Sequence, residues 1–177
     1  MRFGGCLNTD IKELRTNLVP YPRINFIAPS YSPFVDTDKC KLENIPVSDL
    51  TAEVFETSNQ MISIKPDSGK YMSCALMYGG DVTPKEAFDS IVSLRTRRTV
   101  NFVDWCPTGF KVSINEPYPH RDANTPNKSS FLLSNSSSFK DTFRTLTNKF
   151  DIMYERRAFI HWYFGEGIES GEFGESR

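Results

Sequence analysis

Two carboxylates and an amide lie close together near the start of the chain. Asn8-Thr9-Asp10 is typical of a helix start, and Glu13 falls in the first turn of that helix. Asp10 and Glu13 share one helix face because they are three residues apart. Such a group can orient a water molecule for attack on a phosphoryl group. Taken alone, the residues equally fit acids that only stabilise the positive end of a helix dipole.

Other residues that could take part in catalysis or binding do not form a recognisable site. The glycine-rich segment 165–174 fails the spacing of both common nucleotide-binding motifs. The arginines at 95–98 complement a helix end and have no interleaved aromatic side chains for stacking on bases. Neither His120 nor His161 has a nucleophile or a second metal ligand at useful spacing. We therefore predict no metal site and no nucleic-acid site.

Composition narrows the function classes further. The chain has 177 residues, of which 38% are hydrophobic and 24% charged, which predicts one globular domain with an appendage. A net charge of -1 gives no general attraction to nucleic acid or to an anionic membrane. No apolar run approaches the roughly 20 residues that span a bilayer, and no signal peptide opens the chain, so we expect a cytoplasmic protein. The four cysteines are too scattered to predict disulfides or a zinc site.

Hydrophobic patterns supply the elements that must position Asp10 and Glu13. Ile11 and Leu14 are predicted to face inward from the first helix. A strand is predicted at 18–27, followed by a long polar loop at 28–46. Further strands are predicted at 70–78, 99–105, 110–114 and 129–133, where 99–105 and 110–114 are either two strands or one strand broken at 107–109.

Three more helices are predicted. The first covers 48–56. The second begins at the capping box Thr83-Pro84-Lys85-Glu86. The third follows Ser138 and has an apolar face made of Phe139, Phe143, Leu146, Phe150 and Met153. Strands and helices are interspersed without strict alternation, so the sequence predicts an α+β fold, a two-layer sandwich of a mixed sheet and helices with a helical carboxy-terminal end.

Several motifs, in order along the chain, resemble the tubulin family. They are RFGGCLNTD (2–10), TNLVPYPR (16–23), FVDWCPTGFK (102–111) and RAFIHWY (157–163). The motif WCPTGF (105–110) resembles the alpha type, and Glu13 stands where alpha-tubulins carry a glutamate and beta-tubulins a lysine. The resemblance implies a central helix and its preceding loop at 1–16, an intermediate two-layer sandwich domain at 17–136 and a truncated helical region at 137–177.

The same resemblance implies a structural subunit of microtubules that pairs with beta-tubulin. Tubulins stack head to tail, so Glu13 would orient water in trans against GTP held by a neighbouring beta subunit, with Asp10 in support. Asn8 would lie near the phosphates of that GTP. GTP and Mg²⁺ are the family's cofactors, and we expect this chain to bind neither on its own and to hydrolyse no GTP alone.

Other partners also follow from the resemblance. The segment 28–46 would contact neighbouring alpha-tubulins laterally, and Glu169, Glu172 and Glu175 would contact motors and microtubule-associated proteins. The expected location is the microtubule cytoskeleton of the cytoplasm. Two alternatives remain open at this point. The chain can belong to a GTPase whose amino-terminal nucleotide domain is missing from this sequence, or it can be a non-polymerising fragment that caps beta-tubulin through residues 4–15.

Overall fold

The computed structural model describes residues 4–7, 9–35, 44–97, 100–106, 109–116 and 126–177. The chain divides into two compact units, Met1–Ser138 and Phe139–Arg177. The elements of the first unit are α1 (Ile11–Leu18), β1 (Ile27–Ser32), α2 (Val47–Glu53), β2 (Tyr71–Gly80), α3 (Pro84–Arg97), β3 (Phe110–Asn115) and β4 (Lys128–Ser136). Two single-turn 3-10 helices lie at Thr57–Asn59 and Pro66–Ser68. The second unit contains α4 (Phe139–Glu155), α5 (Ile160–Gly165) and α6 (Ser170–Ser176).

The strands of the first unit form one mixed sheet in the order β1-β4-β2-β3. The pairs β1–β4 and β4–β2 are antiparallel, whereas β2 and β3 are parallel. Parallel neighbours need a crossover connection, and α3 provides it between β2 and β3. This mixed sheet with helices confirms the predicted α+β class.

Strand β2 lies at the centre of the fold and is buried from Tyr71 to Tyr78. Successive side chains of a strand point to opposite faces of the sheet. Leu76 and Tyr78 belong to the main core together with residues of α2 and α3. Ala75 and Met77 lie on the other face, where they pack against Leu14 and Leu18 of α1. The sheet is therefore covered by helices on both faces at β2.

The predicted strand at 18–27 is wrong, and so is the predicted loop over residues 28–32. Leu18 is the last residue of α1 rather than the first residue of a strand. It lies four residues after Leu14, so both side chains are on the buried face of the helix. Pro20 and Pro22 lie outside any strand, in the connection that follows the helix. The strand begins only at Ile27, as β1.

Buried hydroxyl groups explain why β1 escaped the hydrophobic pattern. Its inward positions are Ala28, Ser30 and Ser32, all of them small. Ser30 Oγ donates a hydrogen bond to Val54 O (2.6 Å), and Ser32 Oγ donates to Glu53 Oε2 (2.7 Å). Buried polar groups are tolerated when they are paired in this way. Every second residue of β1 is thus buried, but the hydropathy of its residues does not alternate in the same way.

The predicted strand at 99–105 is also wrong. Within the described residues 100–106, Phe102 forms only an isolated bridge with Tyr71. Two backbone hydrogen bonds hold this segment, from Tyr71 N to Asn101 O (2.8 Å) and from Val103 N to Tyr71 O (3.0 Å). Phe102 also packs edge-on against Phe110, so aromatic contacts rather than a strand ladder fix the segment. The other predicted strands are confirmed, and β4 is longer than expected.

The capping box at the start of α3 is confirmed. The backbone N–H of Thr83 donates to Glu86 Oε2 (3.2 Å), and the N–H of Glu86 donates to Thr83 Oγ1 (3.3 Å). The two hydrogen bonds satisfy donors that the first helical turn leaves unpaired. Ala87, Ile91 and Leu94 then form the buried face of α3.

Residues 4–7 cover the outer edge of β3. The backbone N–H of Ile114 donates to Leu7 O (2.9 Å), and that of Glu116 donates to Gly4 O (3.2 Å). A Cβ added to Gly5 would lie 2.1 Å from Ile114 O, so the two backbones approach as closely as only glycine permits. The contact protects an exposed sheet edge and fixes the segment that leads into α1.

The second unit packs around aromatic side chains. Phe150 stacks on Tyr154 with ring centroids 5.5 Å apart, and Phe173 of α6 lies 5.4 Å from the ring of Tyr154. Arg177 forms a two-pronged ion pair with Asp151 through Nε–Oδ1 (2.8 Å) and Nη2–Oδ2 (2.7 Å). None of the 17 residues of α4 is buried. This helix therefore exposes apolar side chains on the predicted face, which are Phe143, Leu146 and Met153.

The capping box yields a stability prediction. Thr83→Ala removes the hydroxyl acceptor and should lower the free energy of unfolding by about 1 kcal/mol, as loss of a cap usually does. Urea unfolding followed by circular dichroism measures the change. Thr96→Ala in the last turn of the same helix is the matched control, since its hydroxyl bonds only to Val92 O within the helix. An equal loss in both variants would contradict a capping role.

The close approach at Gly5 yields a second prediction. Gly5→Ala should push residues 4–7 away from β3, speed up amide hydrogen exchange at Ile114 and cost about 1–3 kcal/mol of stability, as overpacking does. Gly4→Ala is the control, because a Cβ at Gly4 meets no heavy atom within 4 Å. Unchanged exchange at Ile114 in the Gly5 variant would show that the contact does not hold the edge.

Candidate functional site

The first turn of α1 presents both predicted carboxylates on the surface. Asp10 is the N-cap residue, and its Oδ1 accepts a hydrogen bond from the N–H of Ile11 (2.8 Å). Glu13 follows in the first turn, with its side chain 44% exposed. Leu14 and Leu18 occupy the buried face of the same helix. Burial of that face directs Glu13 outward.

Ile11 departs from the prediction that it faces inward. Its side chain is 69% exposed, although it is apolar and lies between the two carboxylates. A single exposed apolar side chain is common on protein surfaces and does not by itself mark a contact surface. The first turn of α1 thus combines an exposed apolar side chain with two acids.

The carboxyl-terminal end of α1 is fixed by two buried side chains. Ser73 Oγ of β2 donates to Leu18 O (2.7 Å), and Asn135 Nδ2 of β4 donates to the same carbonyl (3.0 Å). The last carbonyls of a helix lack intrahelical partners, so these bonds satisfy an otherwise unpaired acceptor. They also tie the helix to the two central strands. The orientation of Glu13 is therefore set by the sheet.

Lys111 of β3 is the direct partner of Glu13. Its ammonium donates a hydrogen bond to Glu13 Oε1 and forms an ion pair with it. This hydrogen bond is the main reason why the pKa of the Glu13 carboxyl lies below its ordinary value, and the backbone N–H of Asp10 adds to the effect. Both side chains are partly exposed, at 28% for Lys111, so the pair adds little to stability.

Sequence reasoning missed Lys111. It lies 98 residues after Glu13, and no local spacing relates the two positions. Lys111 pairs in register with Ala75 of β2, whose side chain faces α1. Lys111 therefore leaves the sheet on the α1 side, which brings its ammonium to Glu13. Only the strand pairing reveals this contact.

Two further cations lie on α1. Lys12 and Arg15 are exposed, and neither forms an ion pair with a described residue. They lie one and two residues from Glu13, at spacings that do not bring side chains together on a helix, so Lys111 is the cation beside this carboxylate. The ion pair with Lys111 reduces the repulsion that the Glu13 carboxylate alone would exert on an anion such as a phosphate.

Asn8, the third predicted site residue, lies outside the described residues. Its neighbour Thr9 is buried, and Thr9 Oγ1 has no hydrogen-bond partner among the described residues. Among the described residues, no group of three or more His, Cys, Asp or Glu side chains is placed to hold a metal ion. Nor does any helix in the described part of the chain combine the length and apolarity needed to cross a bilayer.

The predicted lateral segment 28–46 is only partly a loop. Its first residues form β1, residues 33–35 and 44–46 are irregular or precede α2, and residues 36–43 lie outside the described part. The glycine-rich segment 165–174 contains the end of α5 and most of α6, so it forms no glycine loop around a phosphate.

Three predicted partner-binding acids lie at and within α6. Glu169 is the N-cap of this helix but makes no side-chain capping bond. Glu172 and Glu175 follow at intervals of three residues, and all three side chains are exposed. Glu172 and Glu175 are three residues apart within α6 and so lie next to each other on its surface, and Glu169 directly precedes the helix. We call Glu169, Glu172 and Glu175 the acidic stripe.

Comparison with known proteins gives the family. Residues 22–148 match the family model described as the Tubulin C-terminal domain. The chain is 48% identical over 181 aligned positions to the Tubulin alpha-1 chain of Emericella nidulans, and the alignment covers 100% of this chain and 40% of that relative. It is 46% identical to the Tubulin alpha-3 chain of Zea mays with the same coverage.

The chain thus spans about two fifths of the length of the curated relatives it matches. The match to the family model covers well over half of the chain, and both relatives match along its whole length. The fold agrees with these matches, since the mixed sheet and its helices lie largely within residues 22–148. The chain belongs to the tubulin family.

Proposed function

We propose that the chain is an alpha-tubulin-type structural subunit of microtubules that presents Glu13 to GTP held by a neighbouring beta-tubulin. The relatives named as tubulin alpha chains support the subunit type. The observation that carries the catalytic part is the exposure of Glu13 on an anchored helix. A carboxylate inside the core of this chain would have been unable to reach a neighbour's nucleotide.

The surface around Glu13 fits an anionic ligand that arrives on another subunit. Lys111 supplies positive charge beside Glu13, and Ile11 supplies an exposed apolar side chain. In this proposal GTP and Mg²⁺ are bound by the neighbour, and Asn8, Asp10 and Glu13 face them when the subunits stack. The charges of α1 and β3 then complement the nucleotide across the interface.

Glu13 would act as the residue that orients water and accepts its proton. GTP supplies the terminal phosphorus, to which the water oxygen bonds while the bond to the β–γ bridging oxygen breaks. Asp10 caps α1 and so keeps the turn that carries Glu13 in place. Because the carboxylate and the nucleotide belong to different subunits, they meet only after assembly, and hydrolysis is coupled to stacking.

A charge-neutral substitution tests this role. Glu13→Gln preserves the shape of the side chain and removes the proton acceptor, so GTP turnover in polymers built with beta-tubulin should fall by about two to four orders of magnitude. Phosphate release after assembly measures turnover. Polymer mass is recorded in the same samples, which separates a loss of turnover from a loss of assembly.

Glu56→Gln is the control for this experiment, since it removes an exposed carboxylate that follows α2. It should leave turnover unchanged. If Glu13→Gln polymers released phosphate at the wild-type rate, Glu13 would not be the proton acceptor, whatever their assembly.

The acidic stripe is proposed to bind motors and microtubule-associated proteins. Its members lie just before and within α6 and form no ion pair with a described residue. Unpaired exposed acids raise the association rate of basic partners, and added salt weakens this effect.

The connection between β1 and α2 is proposed to make lateral contacts with neighbouring subunits. Both proposals place the chain in the microtubule cytoskeleton of the cytoplasm.

Replacing the acidic stripe with glutamines should lower the association rate of a motor domain with polymers by about tenfold at low salt. The difference should shrink at high salt because screening suppresses the wild-type rate. Stopped-flow binding at two ionic strengths measures both effects.

The control for the acidic stripe removes three exposed acids from the first unit, at Asp49, Glu56 and Asp67. A similar loss in the control would mean that overall charge, rather than the acidic stripe, attracts the motor domain.

A further inference from the structure

The ion pair between Lys111 and Glu13 poses a chemical problem for the proposed function. A carboxylate that accepts a hydrogen bond from an ammonium is held in its ionised form and is a weaker base. Here the Lys111 ammonium occupies Glu13 Oε1, one of the two oxygens that would bind water. In this structure the Glu13 carboxylate is therefore held by Lys111, and only its other oxygen is left to bind water.

The position of Lys111 is well defined. Its backbone belongs to β3, which pairs with β2 on one side and is covered by residues 4–7 on the other. Its side chain is 28% exposed, so the stem is held while the ammonium remains at the surface. Lys12 and Arg15 lie nearby in sequence but leave Glu13 without a second ion pair. Among the described residues, Lys111 is the one cation paired with the carboxylate, to which the backbone N–H of Asp10 also donates.

Lysine ammonium groups bind phosphate oxygens well. A nucleotide that approaches Glu13 also approaches Lys111, because the two side chains are in contact. The phosphate carries more negative charge than one carboxylate and competes for the same cation.

We propose that Lys111 is a positioning residue that exchanges partners on assembly: it holds Glu13 in the free chain and moves to a phosphate oxygen of the neighbour's nucleotide, which frees Glu13 to bind water. The inference rests on the proposed function, since it needs a nucleotide opposite α1. It adds a reason why Glu13 is inactive before assembly. The exchange makes and breaks no covalent bond and needs no other reactant.

The first part of the test uses the free chain and no nucleotide. The pKa of the Glu13 carboxyl is followed by NMR on chain carrying ¹³C-labelled glutamate. Lys111→Gln should raise that pKa toward the ordinary glutamate range, because the hydrogen bond that lowers it is lost. Lys111→Arg should keep it low. Lys65→Gln removes an exposed lysine elsewhere in the first unit and should change nothing. An unchanged pKa in Lys111→Gln would overturn the proposed restraint.

The second part measures binding of the chain to tubulin dimers whose exposed beta subunit carries either GDP or a non-hydrolysable GTP analogue. Lys111→Gln should weaken binding to the analogue-loaded dimers by about tenfold, as loss of a charge-assisted bond does, and binding to GDP-loaded dimers by less. Lys111→Arg should restore the preference. An equal loss with both nucleotides would show a merely structural role and overturn the exchange.

The two hypotheses can fail separately. If Glu13→Gln lowers GTP turnover but Lys111→Gln weakens binding equally with both nucleotides, the exchange is wrong and the catalytic role stands. If Lys111→Gln weakens binding mainly to the analogue-loaded dimers while Glu13→Gln keeps full turnover, Lys111 contacts the phosphate and the catalytic role of Glu13 is wrong.

Discussion

The anchoring of α1 on the sheet is the interaction on which the rest depends. Leu14 and Leu18 bury one helix face against β2, and the carbonyl of Leu18 accepts hydrogen bonds from Ser73 and Asn135. A helix of eight residues is marginal by itself, so tertiary contacts must hold it. Those contacts also decide which face remains outside. Glu13 lies on the surface because another face of the helix is packed against the core.

Strand β3 connects this core to the surface. Ile114 lies in the main core, its backbone pairs with Leu7, and Lys111 on the same strand reaches Glu13. One strand therefore packs the interior, fixes the segment before α1 and supplies the cation beside the carboxylate. A shift of β3 would change the sheet edge and the site together. This coupling explains why the site needs a folded first unit and cannot reside in an isolated α1 helix.

The sequence predicted the parts that depend on local chemistry. The capping box of Thr83 and Glu86 and the buried strand β2 are set by neighbouring residues. Prediction from the sequence was wrong where tertiary contacts determine the local structure. Strand β1 buries serine hydroxyls that hydropathy counts as polar, Phe102 is held by aromatic contacts instead of a strand, and Ile11 is exposed. The resemblance to tubulins pointed to Glu13 and Asp10, but only the register of β3 pairs Lys111 with Glu13.

The position of Glu13 in an assembled polymer tests the account most directly. Cryo-electron microscopy of the chain co-assembled with beta-tubulin and a non-hydrolysable GTP analogue would locate it. We expect the Glu13 carboxylate to lie one water molecule away from the terminal phosphate of the neighbouring beta subunit, with the α1 face unchanged. A polymer in which α1 faces solvent or a lateral neighbour, with the nucleotide covered by other residues, would contradict the central claim.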